Sequence, residues 1–445
     1  MNRREFMKQS TLAGATAALG PNVLGKPSAG RVAPNDRITI GVIGSGARAQ
    51  QLMEAALTLP QAEIVAVSDV YTGRAERAKA RTGGRATIYK DYHEILQNKD
   101  IDTVFIGTPD HWHKQMAMEA LQAGKDIYLE KPMTYSVDEG LEIMDAVKKT
   151  GRILQVGSQG MSTATQQMAR EMVKAGKLGQ ITMIRASYNR NSASGAWIYP
   201  IPPDANEKTV DWKAFLGPAP DRPFDLERFF RWRCYWDYSG GIATDLFVHL
   251  VTSIHYIMDA KMPQSVTATG ELYRWKESRE VPDTINGILV YPEEGFTVNL
   301  SSTFNNQSSS ESGFEVLGTE GSIAFRGGSL TFADENVYED NRWVVASWDE
   351  ELEQAYYNDP KIEAIETPST WEPQMKEGSR VWTEWGKDAT ITHIQYFLEA
   401  VESRKPPVQD ALMGHRAASC AHMVNQSLRE MKTFHWDAAR EKVKA

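Results

Sequence analysis

Three scarcities limit what this chain can be. It has two cysteines in 445 residues, Cys234 and Cys420, which is too few for a disulfide framework but leaves the redox compartment open. No run reaches the roughly 18 apolar residues that a helix needs to cross a bilayer, so no stable membrane span is expected. An excess of basic residues is also missing, since 49 lysines and arginines stand against 58 acidic residues. The formal net charge of -9 argues against nucleic acid as a partner, because phosphates favour a basic surface.

The remaining composition is that of an ordinary globular protein, 41% apolar and 24% charged, and the length suits two domains. We predict a division into residues 1–35, 36–160 and 161–445. The first segment opens with "MNRREFMKQS" and continues with small, mildly apolar residues, which resembles a twin-arginine export signal followed by a linker. The sequence therefore predicts export to the periplasm in the folded state, or a cytoplasmic location if the signal is not used.

The first motif with a chemical meaning lies in "RITIGVIGSGARAQQ". Residues 38–43 form a β-branched apolar run typical of a buried parallel strand, and Gly44, Gly46 and Ala49 then fit G-x-G-x-x-A. The first glycine allows a tight turn, the second lets a pyrophosphate approach the backbone, and the small third residue lets helix and strand pack closely. The amides at the start of the helix favour a phosphate, so the motif predicts a dinucleotide site.

A second apolar strand, "AEIVAVSDV", ends at Asp69, about 20 residues beyond the loop. A carboxylate there can accept both ribose hydroxyls and repels a 2′-phosphate, which favours NAD, while Arg74 keeps NADP open. Strands and helices alternate as far as "RILQVGSQ", which indicates a doubly wound parallel sheet with its ligand at the carboxyl ends of the strands. The predicted cofactor-binding residues are Gly44, Gly46, Ala47, Arg48, Asp69, Thr108, His111, Glu130, Lys131 and Gln159.

Three stretches carry a family resemblance: "GSGARA", "TPDHWHKQMAMEALQAGKDIYLEKPMT", which ends in a Glu-Lys-Pro signature, and "YSGGIATDLFVHLVTSIHYIMD", which has an Asp-x-x-x-His pattern. Over roughly residues 36–430 they resemble the glucose-fructose oxidoreductase/inositol dehydrogenase/rhizopine-catabolism (Gfo/Idh/MocA) family of sugar oxidoreductases. The resemblance implies an α/β fold in which an N-terminal Rossmann domain, residues 36–160, binds NAD(P). The remaining residues, 161–445, would form an α/β domain with a largely antiparallel sheet that binds the substrate and forms dimers or tetramers.

The resemblance also assigns catalytic roles. Lys131 would lie beside the nicotinamide and stabilise the alkoxide or relay its proton. His249 is the candidate base, since an unperturbed pKa near 6.5 suits proton transfer close to neutrality, and Asp245 would orient the sugar hydroxyls or the histidine. A structural Asp–His pair stays open, as does metal binding by these two residues or by His111 and His113, although we predict no metal.

The stretch "RFFRWRCYWDYSGG" is dense in arginine and aromatic residues. Aromatic rings can lie against sugar faces while guanidinium groups donate to hydroxyls or carboxylates, and ordinary packing is the open alternative. The predicted substrate-binding residues are Trp112, Arg231, Arg233, Tyr235 and Trp236.

Together these residues predict hydride transfer between NAD(P) and a hydroxyl or keto group of a sugar or glycoside. Folded export would require the protein to acquire its cofactor in the cytoplasm and to hold it tightly. Two other functions stay open. One is a glycoside hydrolase that works by transient oxidation at C3, although the similar hydrolases lack the lysine that Lys131 matches. The other is a catalytically silent nucleotide-binding regulator.

Overall fold

Two β-sheets with flanking helices make up the part of the chain that the structure, a computed structural model, describes. No helix in that part is both long enough and apolar enough to cross a membrane. The predicted export signal lies outside the described residues. The described residues are 37–307, 313–326, 328–335, 340–366, 380–383 and 388–444.

The first sheet has six parallel strands in the order β3-β2-β1-β4-β5-β6. The strands are Ile38–Ile43 (β1), Ala62–Ser68 (β2), Thr87–Tyr89 (β3), Thr103–Ile106 (β4), Asp126–Leu129 (β5) and Leu154–Val156 (β6). The helices of this part are Ala47–Leu57 (α1), Thr72–Arg81 (α2), Tyr92–Gln97 (α3), His113–Gln122 (α4) and Val137–Thr150 (α5). The strand order reverses between β1 and β4, which is where a dinucleotide binds in such sheets.

The second sheet has ten strands in the order β14-β13-β12-β11-β7-β10-β9-β8-β15-β16. They are Ile181–Ser187 (β7), Ser265–Glu271 (β8), Thr284–Tyr291 (β9), Phe296–Thr303 (β10), Gly313–Gly318 (β11), Gly321–Arg326 (β12), Ser329–Asp334 (β13), Arg380–Thr383 (β14), Phe434–Asp437 (β15) and Lys442–Val443 (β16). All the neighbouring strands run antiparallel except β7 and β10. The predicted α/β fold class, a doubly wound parallel sheet followed by a largely antiparallel one, is confirmed.

The helices of the second half, with one π-helical turn, lie between and after these strands. They are Ala164–Lys174 (α6), Trp212–Leu216 (α7), Leu226–Phe230 (α8), the π-helical turn Ala243–Phe247, Val248–Met258 (α9), Arg342–Val345 (α10), Glu350–Tyr357 (α11), Pro360–Glu363 (α12), Ala389–Ser403 (α13) and Ala411–Glu430 (α14). Along β10 buried and partly buried residues alternate, so the strand turns one face to a core. Residues of α9 and α14 share that core.

One helix of the second half completes the first sheet instead. Ile394, Phe397 and Leu398 of α13 are buried in one cluster with Ile40 of β1 and Phe105 of β4. The six strands therefore need residues far beyond the predicted boundary at residue 160 to cover one face. The hydrophobic pattern of α13 predicts a helix but does not indicate which sheet it covers.

Candidate active site

One cavity of about 880 Å³ opens at the carboxyl ends of the first sheet's strands. Residues that follow β1, β2, β4 and β5 border it, as do residues of the second half of the chain. Most of the predicted site residues border this cavity: Gly44, Gly46, Ala47, Arg48, Asp69, Thr108, Trp112, Glu130, Lys131, Gln159, Arg233, Asp245 and His249. The cavity thus brings the predicted cofactor-binding and catalytic residues into one space.

Between β1 and α1 the backbone makes the tight turn that the glycine pattern predicts. Gly44 has a φ of +77°, and a Cβ there would lie 2.7 Å from Thr108 Cγ2 and 2.9 Å from the Thr108 amide nitrogen, so no larger residue fits. At Gly46 the nearest atoms to a Cβ, beyond the adjoining residues, would be those of the Arg74 guanidinium at 4.0 Å. That open space is what the approach of a pyrophosphate to the start of α1 requires.

Asp69 connects the end of β2 to this turn. One carboxylate oxygen accepts from the Ser45 amide at 2.7 Å and from the Ser45 hydroxyl at 3.3 Å, and the other accepts from the Tyr71 amide at 2.9 Å. Asp69 also borders the cavity, where a carboxylate is complementary to ribose hydroxyls. Arg74 borders the cavity as well, and its guanidinium lies over two phenylalanine rings of α8 at 5.2 and 5.1 Å from their centres.

Two polar atoms near the turn fit a bound dinucleotide. Thr108 Oγ1 and Arg48 Nη2 are buried and have no hydrogen-bond partner among the residues that the structure describes. Buried donors are normally paired, and a ligand that carries acceptor oxygens would satisfy both atoms. Together with the glycine turn and Asp69, they make the residues of this region a fit for NAD.

Glu130 of the Glu-Lys-Pro signature holds three parts of the site in place. Its Oε1 atom accepts from Arg48 Nε at 2.9 Å and from Gln159 Nε2 at 3.2 Å, and its Oε2 atom accepts from the Lys131 amide at 3.3 Å. Its side chain is only 6% exposed. Glu130 therefore acts as a positioning residue that fixes α1 and the 3₁₀ turn Gln159–Ser162 relative to the end of β5.

Lys131, Asp245 and Arg233 form an ionic cluster that borders the same cavity. Lys131 Nζ donates to Asp245 Oδ1 at 2.7 Å and to the Asp245 backbone oxygen at 2.9 Å, and Arg233 Nε donates to the same Oδ1 at 2.9 Å. Burial alone would raise the pKa of Asp245, but the two adjacent cations outweigh it and hold that pKa well below its usual range. Two of the three ammonium N–H groups of Lys131 are thus in use, which leaves one for a ligand.

Asp245 and His249 lie on one helix, but Asp245 is in the π-helical turn and His249 is in α9. Such turns are frequent at functional sites. Asp245 is bonded to Lys131 and Arg233, and the described residues show no hydrogen bond between it and His249. Burial, assisted by the charge of Lys131, lowers the pKa of His249 to about 3. The ring is therefore neutral at physiological pH.

A second carboxylate, that of Asp110, is bonded to residues in and just before the π-helical turn. Asp110 lies in the 3₁₀ turn after β4 and is 3% exposed. Its Oδ2 atom accepts from Ser239 Oγ at 3.0 Å and from Thr244 Oγ1 at 3.3 Å, and burial raises the pKa of Asp110. Because Thr244 precedes Asp245 in the chain, these bonds connect the first sheet directly to the π-helical turn.

A strap, residues 204–217, runs along the cavity and is bonded to the first sheet at the end of β2. The Thr72 amide donates to the Thr209 oxygen at 3.0 Å, and the Asp211 amide donates to the Val70 oxygen at 2.7 Å. Three residues of the strap border the cavity: Asp211, Ala214 and Phe215. The strap therefore adds a wall from the second half of the chain to the nucleotide side of the cavity.

The strap is also bonded to the residues after β4. The Phe215 backbone oxygen accepts from Trp112 Nε1 at 2.8 Å and from His111 Nε2 at 3.0 Å. A Cβ at Gly217 would lie 2.0 Å from Trp112 Cζ2, so the indole packs directly against the strap backbone. Trp112, predicted to contact substrate, borders the cavity but also fastens the strap. His111 is buried, does not border the cavity and serves the same contact.

Three further predicted residues do not border the cavity: Arg231, Tyr235 and Trp236. Arg231 donates to a backbone oxygen at 3.1 Å and pairs with Glu227 at 2.9 Å. Tyr235 and Trp236 each lie under the guanidinium of another arginine, at 4.2 and 5.1 Å from their ring centres. Only Arg233 of this stretch's predicted residues turns towards the cavity, because the short 3₁₀ helix Trp232–Cys234 directs its neighbours to other sides.

Several cavity residues were absent from the predicted set. At the catalytic side they are Arg190, Trp197, Tyr199 and Trp232, and at the nucleotide side they include Gln51 and Tyr92. The first three lie in the irregular segment after β7, where no periodicity indicates the direction of a side chain. Trp232 lies inside the aromatic stretch. The composition of that stretch indicates substrate contacts, but it does not distinguish Trp232 from the neighbouring aromatic residues.

The positions of His111 and His113, which the sequence left open as metal ligands, do not support metal binding. His113 has its Nδ1 and Nε2 atoms 2.6 and 3.0 Å from the backbone oxygens of Pro132 and Thr108, and His111 is bonded to the strap. Within the described ranges, no three His, Cys, Asp or Glu side chains are grouped to hold a metal ion.

Known proteins resemble this chain over much of its length. The scyllo-inositol 2-dehydrogenase (NAD(+)) of Bacillus subtilis (strain 168) is 27% identical over 268 residues, 60% of this chain and 67% of that protein. Glycosyl hydrolase family 109 protein 2 of Shewanella sp. (strain ANA-3) is 30% identical over 208 residues, 42% of this chain and only 46% of that protein. A levoglucosan dehydrogenase solved with NADH and levoglucosan has a TM-score of 0.64 at 19% identity, over 89% of this chain and 98% of that one, which shows a shared fold.

Two family models match the two halves of the chain. Residues 38–158 match the model described as "Oxidoreductase family, NAD-binding Rossmann fold", and residues 214–324 match the "GFO/IDH/MocA C-terminal domain". The first match confirms the prediction of NAD as cofactor, while use of NADP stays a prediction. Because the two models together cover just over half of its residues, the chain belongs to the GFO/IDH/MocA family of NAD-binding oxidoreductases.

Proposed function

We propose that this protein transfers a hydride between a tightly held NAD and a hydroxyl or keto group of a sugar or glycoside. The observation that carries the proposal is the single cavity bordered both by the glycine turn after β1 and by the Lys131–Asp245–Arg233 cluster. A dinucleotide on the turn would share this cavity with a substrate at the cluster. The likeness to an enzyme named scyllo-inositol 2-dehydrogenase supports a polyhydroxylated substrate.

The chain's own residues would handle the proton and the charge, while NAD, when bound, supplies the hydride acceptor. The neutral ring of His249 can accept the proton of the reacting hydroxyl. Its low pKa makes it a weak base, so the developing alkoxide needs a compensating positive charge. The remaining N–H group of Lys131 can donate to that oxygen. Asp245 and Arg233 hold the ammonium group of Lys131 in place.

Tight retention of the cofactor is supported by the strap. It is bonded to the backbone after β2 and to side chains after β4, and three of its residues border the cavity between. We infer that a dinucleotide lies beneath the strap and leaves only after the bonds on one side of the strap break. The cofactor would then act as a group recycled in place, by a second substrate or within one turnover.

We also propose that the chain is exported folded by the twin-arginine route, works in the periplasm and forms a dimer or tetramer. Residues 1–20 support export, because folded export suits a protein that must acquire its nucleotide in the cytoplasm. Fractionation of cells that express the full chain and its Arg3→Lys, Arg4→Lys double variant tests the location. Light scattering on the purified protein tests the assembly. Cytoplasmic retention of both forms, or a monomer, would contradict these proposals.

The test of the reaction begins with protein purified without added nucleotide. Denaturation should release near-stoichiometric NAD(H), identified by mass. Polyols, aldoses and glycosides are then added to the native protein, and one equivalent of bound NADH should form at 340 nm with a substrate. Lys131→Met and His249→Asn should retain the nucleotide but lose most of this step. Full nucleotide occupancy with no reduction by any compound, and no oxidation of bound NADH by keto sugars, would refute the proposal.

A second reaction is favoured by one observation, the 30% identity to a protein named as a glycosyl hydrolase. Hydrolysis by transient oxidation regenerates NAD in each turnover. The same assay with aryl glycosides distinguishes the two reactions, because hydrolysis would release the phenol continuously without net formation of NADH. Formation of a stable keto product would identify the oxidoreductase.

A further inference from the structure

We propose that the substrate of this site carries a carboxylate, as a sugar acid or its glycoside does, and that Arg190 binds that carboxylate. The inference rests on the proposed function for the reaction itself and adds the charge of the substrate. It starts from one feature of the site: the guanidinium of Arg190, which makes no ion pair with the described residues, borders the cavity together with the catalytic cluster.

The charges at the catalytic side of the cavity do not balance. Lys131 and Arg233 share one carboxylate, that of Asp245, at 2.7 and 2.9 Å. Arg190 borders the cavity as a third cation, and it makes no ion pair within the described part of the chain. Even with Asp110 counted as ionised, one positive charge is left over. A ligand with one negative charge would neutralise it.

Arg190 is held in one orientation by groups that carry no charge. Its Nη1 atom donates to the Gly195 backbone oxygen at 3.0 Å, and its guanidinium lies 5.5 and 5.6 Å from the ring centres of Tyr188 and Phe304. The Nε and Nη2 atoms have no acceptor among the described residues. These two atoms form the edge of a guanidinium that binds both oxygens of a carboxylate by parallel hydrogen bonds.

Arg190 borders the cavity together with the catalytic residues Lys131 and His249. Its charge is the smallest of those that lower the pKa of His249, after burial, Lys131 and Arg48. It also opposes the rise that burial causes in the pKa of Tyr199, as Arg233 does more strongly. Arg190, His249 and Tyr199 all border the same cavity. Aromatic groups that can lie against a sugar ring border the same side of the cavity: Trp197, Tyr199 and Trp232.

A carboxylate fits this arrangement better than the other groups that a guanidinium binds. A neutral hydroxyl would leave the positive charge uncompensated in a partly buried site, which is unfavourable. A phosphate monoester carries close to two negative charges at neutral pH, whereas at the catalytic side Arg190 is the one cation that makes no ion pair among the described residues. A single carboxylate matches both the charge and the two parallel donors.

The experiment compares ligands that differ only in the acidic group. The protein with its bound nucleotide is titrated with D-glucuronate, D-galacturonate, their methyl esters, the parent aldoses and glucose 6-phosphate. Binding is followed by tryptophan fluorescence, since Trp197 and Trp232 border the cavity, and reduction of bound NAD by absorbance at 340 nm. Each uronate that binds should do so on the order of 100-fold more tightly than its ester, as expected for a partly desolvated charge pair.

The variants identify the residue responsible. Arg190→Gln should remove the preference, weakening uronate binding about 100-fold and ester binding less than about threefold. Arg190→Lys should keep part of it, because the charge remains but the paired donors do not. Arg440→Gln is the control for the loss of a positive charge, since Arg440 is 72% exposed and does not border the cavity. Thermal unfolding and the nucleotide content of each variant verify its fold.

The possible outcomes separate this inference from the proposed reaction. Equal binding of uronates and esters, or a preference for the phosphate, would overturn the inference even if sugars are oxidised. Binding of none of these compounds by protein that retains its nucleotide would overturn it too. Uronate binding that depends on Arg190 without any change at 340 nm would support the inference and count against the proposed reaction.

Discussion

Replacing Gly217 by alanine should loosen the strap and speed the release of the bound nucleotide. Gly217 has a φ of +48° and a ψ of -116°, a conformation that other residues adopt only with strain. An added Cβ would also lie 2.0 Å from Trp112 Cζ2 and 2.4 Å from Trp112 Cε2. The indole must therefore move, and its hydrogen bond to the Phe215 oxygen at 2.8 Å is lost or lengthened.

The size of the effect follows from these two changes. Backbone strain of this kind costs about 1–3 kcal/mol, and a lost hydrogen bond costs about 1 kcal/mol. If about 2 kcal/mol of this total is relieved when the strap opens, opening becomes roughly 30-fold more favourable. Release of the nucleotide should accelerate by about the same factor, provided that opening limits release.

The assay is dilution of the purified protein, with its bound nucleotide, into an excess of isotopically labelled NAD, followed by mass analysis over time. Gly176→Ala is the matched control, since Gly176 also has a positive φ, +70°, but no atom lies within 4 Å of its Cβ position. Both variants should lose some thermal stability, and only Gly217→Ala should release its nucleotide faster. Release as slow as in the wild type from folded Gly217→Ala protein would refute the role of the strap.

Three more predictions concern charge. Asp245→Asn leaves Lys131 and Arg233 without their carboxylate, so the unfolding free energy in urea should fall by about 3 kcal/mol and kcat/KM by about 100-fold; unchanged values would contradict the cluster. Glu130→Gln removes the ion pair with Arg48, so nucleotide affinity by calorimetry should weaken about tenfold with little change in kcat; normal affinity would contradict its positioning role. Burial lowers the pKa of five histidines to about 3 or 4, and these are His111, His249, His255, His393 and His422. The unfolded chain binds protons at these histidines below about pH 6.5, whereas the folded chain does not bind them until about pH 4. Between these values, each histidine should lower the free energy of unfolding by up to about 1.4 kcal/mol for every unit by which the pH falls. Equal free energies of unfolding in urea at pH 7 and pH 5 would contradict this.

Local patterns accounted for the nucleotide side of the site. Gly44 and Gly46 could be identified because a tight turn and a close phosphate approach each require a glycine at a fixed place after a strand. Asp69 and Thr108 could be identified because each follows a buried strand of a parallel sheet, whose carboxyl ends lie along one edge. The roles predicted for these residues depend on spacing along the chain, which a sequence displays directly.

The aromatic stretch before the π-helical turn was predicted less well. Composition marks it as rich in candidate ligands, but it does not indicate which side chains turn inward. In the structure Arg233 pairs with Asp245, whereas Tyr235 is buried beneath the guanidinium of Arg228. Short 3₁₀ turns have no long periodicity, so the direction of each side chain is decided by the surfaces that pack around it.

The sequence by itself therefore determined the fold class and the cofactor, since these are encoded in short motifs. It also predicted Lys131, Asp245 and His249 as catalytic residues, and the structure places all three at one cavity. Only the tertiary structure decided that Asp245 pairs with Lys131, 114 positions away, that the strap packs on Trp112 and that Arg190 has no acidic partner within the described ranges. Each of these depends on which segments distant in the chain meet in space. Which distant segments come into contact is set by the burial of whole helices and sheets, and residue spacing along the chain does not indicate it.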